Sequence, residues 1–275
     1  MTRLTRVLCA VDIGERSHRL LDHALALARS HGARLLILHA VSPAIAYNNG
    51  ATERVELLRR LRLQAEAAGV EVRIEVQQGP ADEIILLHSK ARNVDLIVIG
   101  GSRRTRQRGR PAWIAQRVLR GAPCPTLIVP ETSLGPSTVT ESVLCAVDFS
   151  PTASAVAEHA RRLSEDGWQR VTLLYVANGR DDAALAKLQS LIPPPTRGAV
   201  MTQIVVGRPA AEILRVARDT NAQLLVIGAV PRSTLGSRLF GVTGQLLRNA
   251  TCPVLAVPPA SVVRSAAEGV HSAAA

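Results

Sequence analysis

Aromatic side chains are nearly missing from this chain: Trp113, Trp168, Tyr47, Tyr175, Phe149 and Phe240 are the six among 275 residues. Any core is therefore built from Leu, Val, Ile and Ala, and the aromatic platforms that grip single-stranded nucleic acid are not on offer. Lysine is scarcer still. Lys90 and Lys187 are the two lysines among 33 basic residues, which leaves 31 arginines in a chain of formal net charge +11. Charge of that size raises nucleic acid or an anionic membrane as a partner. An arginine bias in an alanine-rich chain also follows from genome composition, however, so the count alone establishes no polyanion binding and leaves nucleic acid open rather than expected.

Long apolar runs are absent as well. The run from Val7 to Val11 ends on Asp12, too short for a signal peptide or a membrane span. The expectation is a cytoplasmic protein with no membrane partner. The cysteines, Cys9, Cys124, Cys145 and Cys252, form no C-x-x-C, and no histidines cluster at ligand spacing, so no metal site is expected. Plain buried or turn thiols are the expected reading, with redox sensing as the alternative. No Gly-Lys-Ser/Thr follows a glycine loop, which excludes a P-loop, and no Gly-x-Gly-x-x-Gly follows the first strand. His18, His23, His31, His88 and His159 fall on predicted helices or their ends, and His39 closes a strand in a packing or edge role. No nucleophile has an identifiable base, so no catalytic residue is proposed and an enzyme is not expected, slow ATP hydrolysis being left open.

What is present is a repeat. Val7-Leu8-Cys9-Ala10-Val11-Asp12 recurs as Val143-Leu144-Cys145-Ala146-Val147-Asp148, an offset of 136. Val98-Ile99-Gly100 recurs as Val226-Ile227-Gly228, and Ala122-Pro123-Cys124-Pro125 as Ala250-Thr251-Cys252-Pro253, both offset by 128. The second copy has therefore lost eight residues in its middle. A unit of roughly 130 residues is a duplicated domain, not a solenoid repeat. The division expected is module 1 over 1–131, a linker over 132–140, module 2 over 141–259 and a frayed tail over 260–275.

In the first copy, apolar runs predict strands at Arg6–Asp12, Arg34–Val41, Val70–Val76, Val94–Ile99 and Thr126–Val129. Between them come helices. The first carries Leu20, Leu21, Ala24, Leu25 and Ala28 on one face and stops at Gly32, and the others cover Glu53–Ala68, Ala81–Arg92 and Trp113–Arg120. The second copy repeats the order, with strands at Val143–Val147, Val171–Val176, Met201–Val206, Leu224–Ile227 and Val254–Val257. Its first helix is expected to take Ser150 as cap and Pro151 as first residue. The helix Ala183–Leu191 is curtailed by Pro193-Pro194-Pro195, where the eight residues went. Strict alternation predicts an α/β fold: two tandem, doubly wound, Rossmann-like modules, each with a five-stranded parallel sheet in the order 3-2-1-4-5. The switch point between strands 1 and 4 then sets Asp12 beside the loop after Gly100, and Asp148 beside the loop after Gly228.

Both copies carry a series of motifs at these loops and along the strands that lead to them. The second copy carries Ala-Val-Asp-Phe-Ser-Pro from Ala146, Leu-Leu-Tyr-Val from Leu173, Leu-Val-Ile-Gly from Leu225, and Leu-Leu-Arg-Asn-Ala-Thr-Cys-Pro-Val-Leu from Leu246. The first carries Ala-Val-Asp at 10–12, Leu-Ile-Leu-His-Ala at 36–40, Asp-Leu-Ile-Val-Ile-Gly at 95–100 and Arg-Val-Leu-Arg-Gly-Ala-Pro-Cys-Pro at 117–125. In these motifs the chain resembles the universal stress protein family, and the resemblance implies two modules paired as an internal pseudo-dimer, commonly through the fifth strands, with a homodimer as a further option. It also implies a ligand, ATP or another adenine nucleotide, in members that carry Gly-x2-Gly-x9-Gly-Ser/Thr after strand 4. Module 2 keeps Gly228 and Gly241 at that spacing, but Pro231 replaces the middle glycine and Val242 the Ser/Thr, with Thr243 next. The implied placement is Asp148 near the ribose, Val176 near the base, and Gly228, Arg232, Gly241, Val242 and Thr243 around the phosphates, where a glycine-rich approach to a helix N-terminus suits an anion. The bare alternative is that Gly228 and Gly241 only permit tight turns.

Module 1 keeps Asp12 and Gly100 but has Trp113 in the place of Gly241, and Pro111 removes one donor from the helix start. Its site is expected to be degenerate. The same loop holds Arg103, Arg104, Arg106, Arg108 and Arg110, which reads either as a solvated charge run or as a clamp for a phosphate, a polyanion or an acidic partner. The expected function is nucleotide-responsive signalling without catalysis; the competing reading is a nucleotide-independent scaffold that works through the arginine loop.

Overall fold

The computed structural model describes residues 4–12, 17–41, 51–101, 111–133, 135–136, 141–192, 200–229 and 241–259. The chain divides into two compact units between Pro136 and Ser137. The first unit runs β1 (Arg6–Val11), α1 (Ser17–His31), β2 (Arg34–Val41), α2 (Ala51–Ala67), β3 (Val72–Gln78), α3 (Ala81–Ala91), β4 (Leu96–Gly101), α4 (Pro111–Gly121) and β5 (Thr126–Pro130). Its strands lie in the order β3-β2-β1-β4-β5, and each pair is parallel. The second unit runs β6 (Ser142–Val147), α5 (Ala153–Glu165), β7 (Arg170–Ala177), α6 (Ala184–Ser190), β8 (Val200–Val206), α7 (Pro209–Asp219), β9 (Leu224–Gly228), α8 (Val242–Asn249) and β10 (Val254–Val257). Its order is β8-β7-β6-β9-β10, again parallel throughout. Both modules thus have the doubly wound order 3-2-1-4-5 that the alternating sequence predicted.

The central strands are buried on both faces, which is why they read as unbroken apolar runs. In β1 and its counterpart β6, Val7, Leu8, Cys9, Val143, Leu144 and Cys145 are all essentially inaccessible. The predicted face of α1 is the buried one: Leu20, Leu21, Ala24, Leu25 and Ala28 all face the core. A side chain at the amino edge tethers each module in the same way. Asp95 accepts hydrogen bonds from the Thr5 N–H and hydroxyl, both at 2.7 Å, and from the Arg6 N–H at 2.9 Å. In the second module Gln223 Oε1 accepts the Glu141 N–H at 3.0 Å.

In module 1 two strand starts differ from the sequence reading, and helix endings are the cause. Val70 and Val94 were expected to open strands, but β3 and β4 begin two residues later. Gly69 (φ 68°) and Asn93 (φ 49°) are left-handed. The Val70 N–H returns to Ala65 O and the Gly69 N–H to Glu66 O, while the Val94 N–H returns to Ser89 O and the Asn93 N–H to Lys90 O. These are the paired bonds of a Schellman ending, whose apolar residue after the left-handed turn packs back on the helix; Val70 and Val94 are accordingly buried. Gly32, Gly167 and Asn221 end α1, α5 and α7 with the same long return bond.

The start of α5 also differs. Ser150 was expected as cap with Pro151 as first residue, but the helix begins at Ala153 and Thr152 is the capping position, without a side-chain cap bond. The Ser150 hydroxyl oxygen accepts the Thr152 N–H at 3.4 Å and meets the Thr152 hydroxyl at 2.8 Å, and the Ala153 N–H returns to Ser150 O at 2.9 Å, so residues 150–152 form a turn ahead of the helix.

Candidate functional site

Register places the predicted residues of module 2 at one sheet edge. Val147 pairs with Tyr175, so the next residues, Asp148 and Val176, lie at the same level on adjacent strands. Ala146 pairs with Ile227, so Gly228 stands level with Val147 on the other side. All three lie at the carboxyl ends of their strands, where α/β sheets take ligands. Asp148 is exposed, and Val176 is buried at 8% exposure.

Gly241 is the capping residue of α8, in extended conformation (φ −61°, ψ 175°) and with no side-chain cap bond. Gly241 and Val242 are exposed and Thr243 is half-buried. The first backbone N–H groups of a helix have no intrahelical acceptor, and the helix dipole favours negative charge there. Arg232 and the rest of the 230–240 loop lie outside the described residues.

The turn after Asp148 is built locally. Asp148 Oδ1 accepts the Ser150 N–H at 3.0 Å, the Asx arrangement that lets a carboxylate substitute for a backbone turn. Between them Phe149 is left-handed at φ 55°. Its ring packs on Tyr175 at 4.4 Å with a 44° tilt, and Lys187 of α6 sits over it at 5.9 Å. Thr152, 6% exposed, rests on the open face of Gly228. A Cβ built on Gly228 would stand 2.0 Å from Thr152 Oγ1 and 2.7 Å from its Cβ. Gly228 is therefore glycine for packing reasons on that face, whatever lies on the other. Neither the Phe149–Tyr175 pair nor Thr152 was identified from sequence. Nothing in the sequence tells that Phe149 is left-handed, and the approach of Thr152 to Gly228 spans 76 residues of chain.

Module 1 keeps this register but differs in what surrounds it. Gly100 stands level with Val11, one residue short of Asp12, as its counterpart does. Among the described residues a Cβ at Gly100 would meet nothing within 4 Å. The Ser17 hydroxyl, on α1, donates to Asp12 O. His39 is buried and its Nδ1–H donates to Val11 O at 2.9 Å, a packing role as expected. Helix α4 starts at Pro111, so Trp113 is its third residue, whereas its counterpart Gly241 is the cap of α8. Arg103 to Arg110 lie outside the described residues.

The other chemistry-bearing side chains are packed away. Cys9, Cys124, Cys145 and Cys252 are buried free thiols. Burial pushes the Cys9 and Cys124 thiols up to about 12 and Cys252 up to about 11, and raises Cys145 as well, so none is poised as a thiolate. His23 is buried with Nε2 3.0 Å from the Ser133 hydroxyl. Among the described residues no three His, Cys, Asp or Glu gather to hold a metal, and no helix is long and apolar enough to cross a membrane.

Two doubly wound parallel modules in tandem, each with an aspartate just beyond its first strand and a glycine closing or near the end of its fourth, define a class of switch-point α/β proteins. The Universal stress protein family model matches residues 3–130 and 140–258, and the chain belongs to that family. A universal stress protein of Thermus aquaticus, from the QAH/OAS sulfhydrylase 3′ region, is 34% identical over 137 residues, which cover 45% of this chain and 96% of the relative. A solved universal stress protein from Archaeoglobus fulgidus shares the fold across 92% of this chain and 98% of its own, with a TM-score of 0.74 at 18% identity. Another solved universal stress protein, 23% identical over 47% of this chain with a TM-score of 0.40, is in complex with cAMP.

Proposed function

We propose that this chain is a cytoplasmic, non-catalytic, nucleotide-responsive stress or signalling protein that holds one adenine nucleotide, ATP or a relative of it, in module 2. The supporting observation is the exposed start of α8 at Gly241, Val242 and Thr243, whose capping glycine has no side chain to accept a helix N–H, on the same carboxyl edge as Asp148, Val176 and Gly228. Phosphate fits the helix start because it supplies the acceptors that the first N–H groups lack, and the dipole adds to the attraction. In this reading Asp148 takes a ribose hydroxyl, the Val176 backbone, level with it, takes the base, and Arg232 is assigned to the phosphates. In module 1, Pro111 at the helix start has no N–H to donate, and the sequence has Trp113 in the place of Gly241. Signalling follows if the bound nucleotide stabilises the loop between Gly228 and Gly241 and so alters a surface that a partner reads.

The test is to denature the purified protein, look for released nucleotide, and titrate ATP into wild type, Asp148→Ala and Gly241→Trp by calorimetry. Binding in wild type, about tenfold weaker in Asp148→Ala and lost in Gly241→Trp, supports the reading. Equal, undetectable binding in all three favours the nucleotide-independent scaffold.

A further inference from the structure

The two modules expose chemically different sheet edges. In module 1 the edge strand β3, Val72-Arg73-Ile74-Glu75-Val76-Gln77-Gln78, carries a charge cluster. Arg73 Nε meets Glu75 at 2.5 Å, His88 Nδ1 meets it at 3.0 Å, and Arg92 also pairs with it. Charge on an edge strand deters pairing with another chain. The counterpart β8, Val200-Met201-Thr202-Gln203-Ile204-Val205-Val206, has no charged residue, no proline and no glycine. Met201 is 56% and Val206 64% exposed. Among the described residues β8 pairs only with β7.

Which backbone groups of β8 are unpaired follows from one bond. The Gly207 N–H donates to Ala177 O on β7 at 3.0 Å. Backbone groups of a strand point to opposite neighbours at alternate residues, so the N–H and C=O groups of Val200, Thr202, Ile204 and Val206 point to the free edge.

We propose that β8 is a self-association edge, whose occupant is the β8 strand of a second copy of this chain, paired antiparallel about a two-fold axis at Gln203. Centring on Gln203 pairs the whole strand: Val200 with Val206, Thr202 with Ile204, Met201 with Val205, and Gln203 with itself. Thr202 and Ile204 then exchange both backbone hydrogen bonds, as do Val200 and Val206. Every facing side-chain pair is neutral, so no like charges oppose the pairing, and Met201 and Val205 cover one another. The symmetry is that of an isologous dimer, which closes and consumes both free edges. Two β3 strands brought together in this way would instead have to desolvate the Arg73, Glu75 and Arg92 cluster. The second copy is favoured over an unrelated extended peptide because the strand is complementary to itself residue by residue.

Sedimentation equilibrium on the full-length chain tests this, with Thr202→Pro, Val206→Lys and, as control on β3, Val76→Lys. Thr202→Pro removes a donor from the free edge and none from the β7 ladder, a position where an edge strand tolerates proline. The expected result is reversible dimerisation of wild type and Val76→Lys, weakened about tenfold or more in the two β8 variants. Hydrogen exchange on wild type supplies a readout independent of any variant: the amides of Thr202, Ile204 and Val206 should gain protection as protein concentration rises. A wild type that stays monomeric at about 200 μM overturns the proposal. So does dimerisation that both β8 variants leave unchanged, or exchange at those amides that is independent of concentration.

Discussion

Gly100 and Gly228 occupy the same position in the two modules but differ in what surrounds them. Among the described residues nothing stands within 4 Å of where a Gly100 side chain would go, whereas Thr152 fills that space at Gly228. Gly228→Ala should therefore destabilise by about 1–3 kcal/mol through overpacking. Gly100→Ala should be neutral or stabilising by about 0.4–1 kcal/mol, since alanine restricts the unfolded chain. Chemical denaturation of both variants checks the contrast, and equal effects would remove Thr152 from the account. Sequence alone made both glycines switch-point residues and could not separate them, because a glycine kept for packing and one kept for a ligand are the same letter.

Helix α1 buries His23 and helix α5 half-buries His159, and desolvation holds both below the usual histidine value. For His23 desolvation outweighs the neighbouring Asp22, and for His159 it outweighs the hydrogen bond to Ala155 O. A depressed histidine pKa means that the unfolded chain takes up protons first as the pH falls. The stabilisation is complete above the unfolded value of about 6.5 and is lost as pH drops from there toward the folded values. Thermal midpoints from about pH 8 to 5 should fall, and less steeply in His159→Gln; a flat profile for wild type contradicts the burial. Along the same helix Glu158, bonded to Arg161 and Arg162, is held down at about 2. Its contribution persists below the range in which the histidines titrate, so the two effects separate by pH. The helices themselves were legible from periodicity, down to the five buried residues of α1. Their ends were less so: Val70 and Val94 look like strand residues by composition, and only the left-handed Gly69 and Asn93 turn them into helix closures. Ser150-Pro151 likewise reads as a helix start until Thr152 is found packed on Gly228.

For the molecule as a whole, duplication kept the framework and let the edges diverge. If module 2 alone holds the nucleotide, calorimetry should return a stoichiometry of one per chain; two would reinstate the module 1 site despite Pro111 and Trp113. The net charge of +11 makes a salt titration the companion measurement, since binding to a polyanion must weaken steeply with ionic strength.

Duplication, parallel order and the identity of the edge residues follow from the residue string alone, because apolar periodicity, a repeated motif and short connections leave few topologies for a chain of this length. The folded chain alone decides what each edge residue touches. Asp148 binding its own Ser150 N–H, Phe149 turned left-handed onto Tyr175, Thr152 seated on Gly228, and β8 bare where β3 is charged and ion-paired all depend on atoms brought together from distant or conformationally unusual positions. Local sequence carries propensity, but contact geometry exists only once the sheet has set the register.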